Sequence, residues 1–217
     1  MDAGSAIEAV RAEAKGCEAC DLYREATQTV FGEGAARTPL MLVGEAPGDQ
    51  EDKQGRPFVG PAGQLFDRAM TEAGIERGAV YLTNAVKHFK FIRAGKRRLH
   101  QKPDASEIKA CRQWLLKELD IVQPRVLVAL GATAAHSILG RSVTISRERG
   151  RFRPYPPDIQ LYVTVHPSYL LRLPDERAKA TEYARFVEDL RTVKEMADKL
   201  AAGGAGAGAD RPQMLLL

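Results

Sequence analysis

The sequence has 217 residues, of which 44% are hydrophobic and 28% charged, and its formal net charge is +4. This length suits one well-buried α/β domain and is short for two. No run approaches the ~20 apolar residues of a membrane helix, and the N-terminal segment carries acids without a long apolar stretch, which excludes a secretory signal. We therefore expect a cytoplasmic protein without a membrane partner.

Short apolar runs alternate with helical patterns along the chain, which predicts an α/β fold. Buried strands are predicted at 40–43, 80–83, 126–130 and 161–165. Helices are predicted at 63–73, 105–119, 132–139 and 176–200. Asp104 is placed to cap the second helix. We expect a single three-layer domain at 1–200 with a central four-stranded parallel sheet flanked by helices. The Gly/Ala-rich segment 201–217 is expected to be a flexible tail.

Three of the predicted strands end in polar segments. The first runs into GEAPGD at 44–49, the second ends at Asn84, and the fourth ends at HPS, 166–168. In parallel sheets, ligands bind beyond the carboxyl ends of the strands. Because these segments are predicted to meet at that edge, we expect an active site there.

The positive charge of the chain is concentrated in one segment. Residues 87–102, KHFKFIRAGKRRLHQK, contain seven Lys/Arg and no Asp/Glu, and without them the chain has 25 basic and 28 acidic residues, a net charge of −3. A basic stripe on a nearly neutral body favours a polyanionic partner such as nucleic acid. The alternative is a solvated loop.

The three cysteines favour metal or redox chemistry over a disulfide framework, because their number is odd and small. Cys17 and Cys20 form a C-x2-C pair that can bind one metal centre, and Cys111 is a candidate third ligand. His88 is the candidate fourth ligand. Ligand type alone leaves a Cys3His zinc site and an iron–sulfur cluster both open.

Taken together, these motifs resemble the family 4 iron–sulfur uracil-DNA glycosylases. The resemblance covers about residues 17–190. It rests on the early C-x2-C, GEAPGDQED (44–52), GRPFVGPAG (55–63), TNAVKH (83–88), Cys111 and HPS (166–168). It implies a uracil-DNA glycosylase-like fold and uracil-containing DNA, with single strands preferred, as the substrate of a monomeric enzyme.

Two features are similar to the X-type (UdgX-like) branch of that group. One is the inserted KRRLH, 96–100, and the other is His88, where ordinary family 4 enzymes carry a cysteine. The resemblance implies a [4Fe–4S] cluster held by Cys17, Cys20, His88 and Cys111. It also implies that the protein excises uracil and then stays covalently attached to the abasic DNA through His100.

Base recognition is assigned by this resemblance to residues of the first two motifs. Phe58 offers a face on which the base can stack. The Asn84 amide complements the N3–H and O4 of uracil and would reject cytosine. The remaining candidates, in the first strand-end loop, are Gly44, Ala46 and Asp52.

Cleavage of the glycosidic bond leaves a sugar oxocarbenium ion and a uracil anion. His166, as a neutral imidazole, is expected to donate its N–H to uracil O2. Glu45 is expected to stabilise the cation and to orient either water or His100. His100 is then the expected nucleophile at C1′.

Phosphate contacts are expected from the basic run and from the fourth strand end. The candidates are Lys96, Arg97, Arg98 and Ser168. The three cations of the run have an alternative role, which is to hold their loop in place.

One position departs from the X-type pattern, which usually reads Gly-Glu-Gln-Pro-Gly, because position 46 is Ala here. The missing amide removes hydrogen bonds to the base or to the neighbouring loop. Three alternatives therefore stay open: an ordinary turnover glycosylase of the family 4 type, a non-catalytic uracil-DNA binding protein, and a zinc-stapled hydrolase of free nucleotides.

Overall fold

The computed structural model describes residues 2–203, which form sixteen helices and strands and two short 3-10 turns. In chain order the elements are α1 (Ala3–Ala14), β1 (Glu33–Gly34), β2 (Leu40–Gly44), α2 (Asp49–Gln54), α3 (Pro61–Glu72), β3 (Tyr81–Asn84), β4 (Phe91–Ala94), β5 (Arg97–His100), α4 (Ala105–Val122), β6 (Val126–Leu130), α5 (Ala132–Leu139), α6 (Ile145–Glu148), β7 (Phe152–Tyr155), β8 (Ile159–Thr164), α7 (Pro167–Leu171) and α8 (Glu176–Gly203).

Six strands of the described chain form one sheet in the order β1-β3-β2-β6-β8-β7. The central four, β3, β2, β6 and β8, are parallel, as predicted. The strands at the two edges, β1 and β7, pair antiparallel and were not predicted. The register places Gly44 beside Asn84, so β2 and β3 end level with each other. The polar segments that follow these strands therefore start at the same edge.

Helices cover both faces of the sheet, which gives the three predicted layers. On one face, α1, α4 and α5 pack side chains such as Ile7, Leu115 and Ile138 against β2, β6 and β8. On the other face, α3 and α8 pack Phe66 and Phe186 against the alternate residues of the same strands. Burial on both faces explains why the parallel strands read as continuous apolar runs.

Several predicted boundaries agree with the structure. Strand 126–130 and helix 132–139 match, and Asp104 caps α4 by accepting the N–H groups of Ser106 and Glu107. The tail boundary was wrong, because α8 continues to Gly203. The rest of the predicted tail, 204–217, lies outside the described residues. Among residues 2–203, none of the helices has both the length and the apolar character needed to cross a bilayer.

The KRRLH segment is a strand rather than the predicted loop. Arg97–His100 forms β5, which pairs antiparallel with β4 in a separate two-stranded sheet. Phe91 lies opposite His100, Ile92 opposite Leu99, and the turn contains Gly95 with a φ of 60°. We call residues 91–100 the basic hairpin.

Candidate active site

A cavity of about 690 Å³ opens at the carboxyl edge of the sheet, between α2, α7 and the basic hairpin. We call it the strand-end cavity. Eight of the side chains predicted to form the site line it, and they come from five separate parts of the chain. These residues are Glu45, Ala46, Phe58, Asn84, Arg98, His100, His166 and Ser168. The convergence predicted from the strand ends is therefore present in the structure.

Glu45 follows β2 directly and stands at the centre of the edge. Its backbone carbonyl accepts the N–H of Val86, which ties it to the chain after β3. Its carboxylate accepts a hydrogen bond from the hydroxyl of Thr133, at the start of α5. Glu45 also borders a second cavity of about 590 Å³ that extends towards α6 and α8. The carboxylate is thus held by Thr133 while it remains open to the strand-end cavity.

His166 is held as a neutral imidazole. Burial lowers its pKa to about 4, against the opposing effect of the Glu45 charge. Its Nδ1 accepts the backbone N–H of Ser168 at 3.2 Å and lies 2.8 Å from the Ser168 hydroxyl oxygen. Because Nδ1 is an acceptor, the ring proton belongs on Nε2. The ring can therefore donate one N–H from Nε2.

The close approach of β6 to His166 depends on a glycine. Gly131 has a φ of 92°, and a Cβ atom added there would lie 3.1 Å from the His166 Cβ. A side chain at this position would strain the backbone and press on the His166 side chain.

Phe58 forms one wall of the strand-end cavity. Its ring lies 5.0 Å from the ring of Phe66 and 6.3 Å from that of His166, between centroids. Its φ is 56°, which is unusual for a residue other than glycine. Only 4% of the residue is exposed, so the aromatic face is fixed before any ligand arrives.

Gly44 does not line the cavity, and its contribution is space. A Cβ atom added to Gly44 would lie 2.3 Å from Asn84 Oδ1 and 2.7 Å from Phe58 Cζ. Any larger residue would therefore push the amide and the aromatic ring apart. The direct contact with uracil predicted for Gly44 is replaced by this spacing role.

Sequence reasoning missed Glu51, which fixes the Phe58 turn. Its buried carboxylate accepts the N–H groups of Gly48, Val59 and Gly60 at 3.1, 3.1 and 2.8 Å. One acidic side chain thus ties the start of α2 to the backbone that follows Phe58. The spacing Gly48-x-x-Glu51 has the acid of a capping box, and this signal could have identified it.

Asn84 ends β3 with its side chain in the wall of the cavity and only 3% of the residue exposed. Its backbone carbonyl accepts a hydrogen bond from Lys87 Nζ at 2.7 Å. The same ammonium group donates to Thr83 Oγ1 and to Glu118 Oε2, both at 2.6 Å. Lys87 therefore fixes the backbone that carries the amide and leaves the amide itself to face the cavity.

Glu118 completes this second feature that the sequence did not suggest. Lys87 and Glu118 both have fully buried side chains. Glu118 Oε1 also accepts from Gly32 N, Tyr81 Oη and Thr83 Oγ1. A buried ion pair with this many hydrogen bonds is satisfied in place, whereas either charge alone would be costly. A charged pair 31 positions apart carries no sequence pattern of its own.

His100 is partly exposed at the mouth of the cavity, at the end of β5. Its ring lies 5.9 Å from that of Phe89. Desolvation by the surrounding protein lowers its pKa below the ordinary value, while the charge of Glu45 acts in the opposite direction. The ring is therefore neutral near pH 7, as a nucleophile requires.

Arg98 holds the basic hairpin rather than presenting a free cation. Its guanidinium contacts Asp49 and Asp52 at 2.6 Å each and lies over the rings of Phe89 and Phe91. Of the two predicted roles, this geometry favours holding the loop in place. The hairpin is thereby fixed against α2, with His100 next in line but one.

The predicted contact between Asp52 and uracil was wrong. Asp52 is fully buried and does not line the cavity. Its carboxylate accepts from Thr27 N at 2.9 Å and Thr27 Oγ1 at 2.6 Å, and it pairs with Arg98. Asp52 therefore anchors the hairpin.

The other predicted phosphate ligands differ in availability. Lys96 and Arg97 are exposed on the basic hairpin. The Ser168 hydroxyl lines the cavity, but it already contacts His166 and accepts a hydrogen bond from Arg172 at 3.0 Å. Ser168 therefore has a local role in orienting His166.

The three cysteines lie in one region between the N-terminal segment and α4. Cys17 Sγ accepts the indole N–H of Trp114 at 3.1 Å, and Cys111 Sγ accepts the backbone N–H of Lys87 at 3.1 Å. Burial raises the pKa of Cys111 to about 12, and the charges of Cys17 and Cys20 raise it further. This mutual effect indicates that the three sulfur atoms are neighbours.

His88, the fourth predicted ligand, is buried, and its Nε2 lies 3.0 Å from Thr29 Oγ1. Within residues 2–203, no group of three or more His, Cys, Asp or Glu side chains is arranged to hold a metal ion. The chemistry of the set nevertheless fits an iron–sulfur cluster, because N–H donors already point at two of the sulfur atoms.

Comparison with known proteins places the chain in a family. Residues 31–191 match the family model of the uracil DNA glycosylase superfamily. A type-4 uracil-DNA glycosylase of Thermotoga maritima is 40% identical over 195 residues, which are 89% of this chain and 95% of that protein. One of Pyrobaculum aerophilum is 36% identical over 172 residues, covering 76% of this chain and 84% of that protein. Since the match spans nearly the whole fold, the chain belongs to the uracil DNA glycosylase superfamily and is homologous to its type-4 members.

Proposed function

We propose that this protein excises uracil from DNA and that His100 then captures the abasic sugar, so that the protein remains covalently attached. The observation that carries the proposal is the strand-end cavity itself. Glu45, His100 and His166 line it together with Phe58 and Asn84. One cavity thus contains the groups for base recognition, bond cleavage and capture.

Recognition begins when the nucleotide leaves the stack and enters the cavity. The base stacks on Phe58, whose ring is fixed against Phe66. The amide of Asn84 pairs with N3–H and O4 of uracil through its carbonyl oxygen and its NH2 group. In cytosine these two positions are an acceptor and a donor in reversed order. The amide therefore rejects cytosine.

Cleavage breaks the bond between N1 of uracil and C1′ of the sugar, and the electron pair leaves with the base. The Nε2–H of neutral His166 stabilises the charge that develops on O2. Since the ring is already neutral, no proton must be removed to prepare it. Glu45 stabilises the positive charge that develops on the sugar.

Capture forms a bond between an imidazole nitrogen of His100 and C1′. The lone pair of the neutral ring attacks the oxocarbenium ion, and the proton on the other ring nitrogen then passes to Glu45 or to solvent. The charge balance closes, because uracil takes up one proton and His100 releases one. An N-glycosidic bond to imidazole has no good leaving step, so each protein molecule reacts once.

The substrate is uracil-containing DNA, with single strands preferred. Seven cations in 87–102 attract the phosphate backbone. Of these, Lys96 and Arg97 are exposed and free to reach phosphates beside the cavity. A single strand needs no unpairing before its base is extruded, which lowers the cost of entry. One chain contains the full set of groups, so the protein acts as a monomer.

A [4Fe–4S] cluster held by Cys17, Cys20, His88 and Cys111 completes the proposal. Its role is structural, because it joins the N-terminal segment to α4 and to the chain that leads into the basic hairpin. Support comes from the neighbouring sulfur atoms and from the N–H groups of Trp114 and Lys87 that point at two of them. A broad absorbance shoulder near ~400 nm would identify the cluster, whereas zinc has none.

The test is incubation with a uracil-containing single-stranded oligonucleotide, followed by denaturing electrophoresis. The wild type should form a heat- and SDS-stable adduct, and His100→Ala should form none while still releasing uracil. His136→Ala is the matched control, because this histidine lies on α5 outside the cavity. Full crosslinking by His100→Ala would contradict the proposed nucleophile, and the absence of uracil release by the wild type would contradict the whole proposal.

An ordinary turnover glycosylase is the second candidate. The observation that favours it is the 40% identity to a protein named type-4 uracil-DNA glycosylase, together with Ala46 in the cavity wall. Glu45 would then orient water instead of His100. Multiple turnovers with free abasic product would identify this function.

A further inference from the structure

The exposed apolar surface of the molecule is concentrated at the rim of one cavity. Among residues 2–203, the large hydrophobic side chains that are exposed are Ile92, Leu99, Tyr169 and Leu171. The first two lie on the basic hairpin and the other two on α7. Leu99 and Leu171 both line the strand-end cavity. Apolar surface gathered beside a ligand cavity marks an interaction site more often than scattered exposed residues do.

The basic hairpin has two different faces. Side chains two apart on a strand share a face, as do side chains directly opposite each other. Arg98, His100 and Phe91 therefore lie on the inner face, where Arg98 is tied to Asp49. Ile92, Leu99 and Arg97 lie on the outer face. Ile92 is 54% exposed and Leu99 is 44% exposed.

The tether on the inner face gives the outer face a fixed position. A two-stranded hairpin alone is marginally stable in water. Here the ion pairs of Arg98 and the rings of Phe89 and Phe91 hold it against the domain. Ile92 and Leu99 are therefore presented beside the cavity as a preformed apolar pair.

We propose that the outer-face pair Ile92 and Leu99 is a contact site for the base of a nucleotide adjacent to the extruded uracil. This inference rests on the proposed function. Charge complementarity favours DNA as the occupant, because Arg97 shares the face, Lys96 is in the turn, and the segment 87–102 has no acidic residue. Apolar side chains receive the base while the cations receive its phosphates. A nucleotide whose neighbour has left the stack exposes one base face, and this pair covers it.

The substitutions Leu99→Thr and Ile92→Thr test the contact while keeping a β-branched residue that suits a strand. The readout is the protein concentration that half-saturates single-turnover uracil release from a single-stranded oligonucleotide. Each substitution should raise this concentration about five- to tenfold, as expected for the loss of one apolar contact. The maximal rate should change less than twofold. Ala94→Thr, at the turn end of the same face, is the matched control and should have no effect.

The decisive comparison uses two further substrates in which the nucleotide 5′ or 3′ to uracil is replaced by a base-free spacer. If the pair contacts a neighbouring base, the effect of Leu99→Thr should disappear on one of these substrates. An equal effect on all three substrates would overturn the inference. Uracil release by the wild type is scored separately, so that its absence would refute the proposed function and not this contact alone.

Salt dependence separates the apolar pair from the cations. Arg97→Gln should reduce the slope of log affinity against log salt by about one unit if it contacts a phosphate, whereas Leu99→Thr should leave the slope unchanged. Sedimentation provides the remaining check. If the wild type is a dimer that Leu99→Thr converts to a monomer, the occupant of this face is a second copy of the chain and the inference is wrong.

Discussion

Lys87→Met removes one charge from the buried Lys87–Glu118 pair. Both side chains are fully buried and meet at 2.6 Å. Met has a similar length and no charge, so the main change is an unpaired carboxylate. Glu118 would keep the N–H of Gly32 and the hydroxyl of Tyr81 as donors but would lose its only cation among the described residues.

The expected loss of stability is about 3–5 kcal/mol, the cost of leaving one buried charge without its partner. In a domain of this size each kcal/mol lowers Tm by roughly 2–4 °C, so Tm should fall by roughly 6–20 °C. Lys87→Met/Glu118→Gln should recover most of this loss, because the glutamine is neutral and its oxygen still accepts the hydrogen bond from Gly32.

Thermal unfolding followed by circular dichroism measures these differences in the full chain. Lys117→Met is the matched control, because Lys117 also lies on α4 and pairs with Glu13 at 2.7 Å, but both side chains are partly exposed. Its loss should stay below about 1 kcal/mol. The account of the pair would be refuted if Lys87→Met cost no more than Lys117→Met, or if the double variant were less stable than Lys87→Met.

Three further predictions concern the cavity. Because the pKa of His166 is about 4 in the folded protein, the single-turnover rate of uracil release should stay level from pH 8 to about pH 5.5, and an inflection near 6.5 would contradict this. The unfolded chain takes up this proton first, so stability should fall as pH drops from about 6.5 towards 4. Glu51→Ala leaves three backbone N–H groups without their acceptor and should cost about 3 kcal/mol in urea unfolding, with weaker uracil binding through Phe58; an unchanged midpoint would disprove the role of Glu51. Ala46→Gln adds an amide to the cavity wall and should increase the ratio of covalent adduct to free abasic product in a gel assay, whereas a lower ratio would show that Ala46 is no defect.

The fold was largely predictable because parallel strands buried on both faces leave continuous apolar runs in the sequence. The two edge strands were missed for physical reasons. β1 has only two residues, and β7 contains Pro154, which is typical of an edge. The basic hairpin was missed because its long-range contacts are made by Arg98, and charged residues carry no strand pattern.

The site was predictable where chemistry lies at a strand end, as with Glu45, Asn84 and His166. It was not predictable where polar side chains pair with each other. Asp52 was assigned to the base because it lies near the first motif, yet it is buried against Thr27 and Arg98. The ion pair of Lys87 depends on the packing of α4 on the sheet, which no local pattern reports.

Mapping the covalent bond tests the central claim most directly. The protein is reacted with uracil-containing single-stranded DNA, digested with nuclease and protease, and analysed by mass spectrometry without borohydride. The account predicts that the peptide with His100 carries an abasic deoxyribose on its imidazole and that free uracil is released in equal amount. An adduct on Lys96 that requires reduction to survive, or release of uracil with no modified peptide, would contradict it.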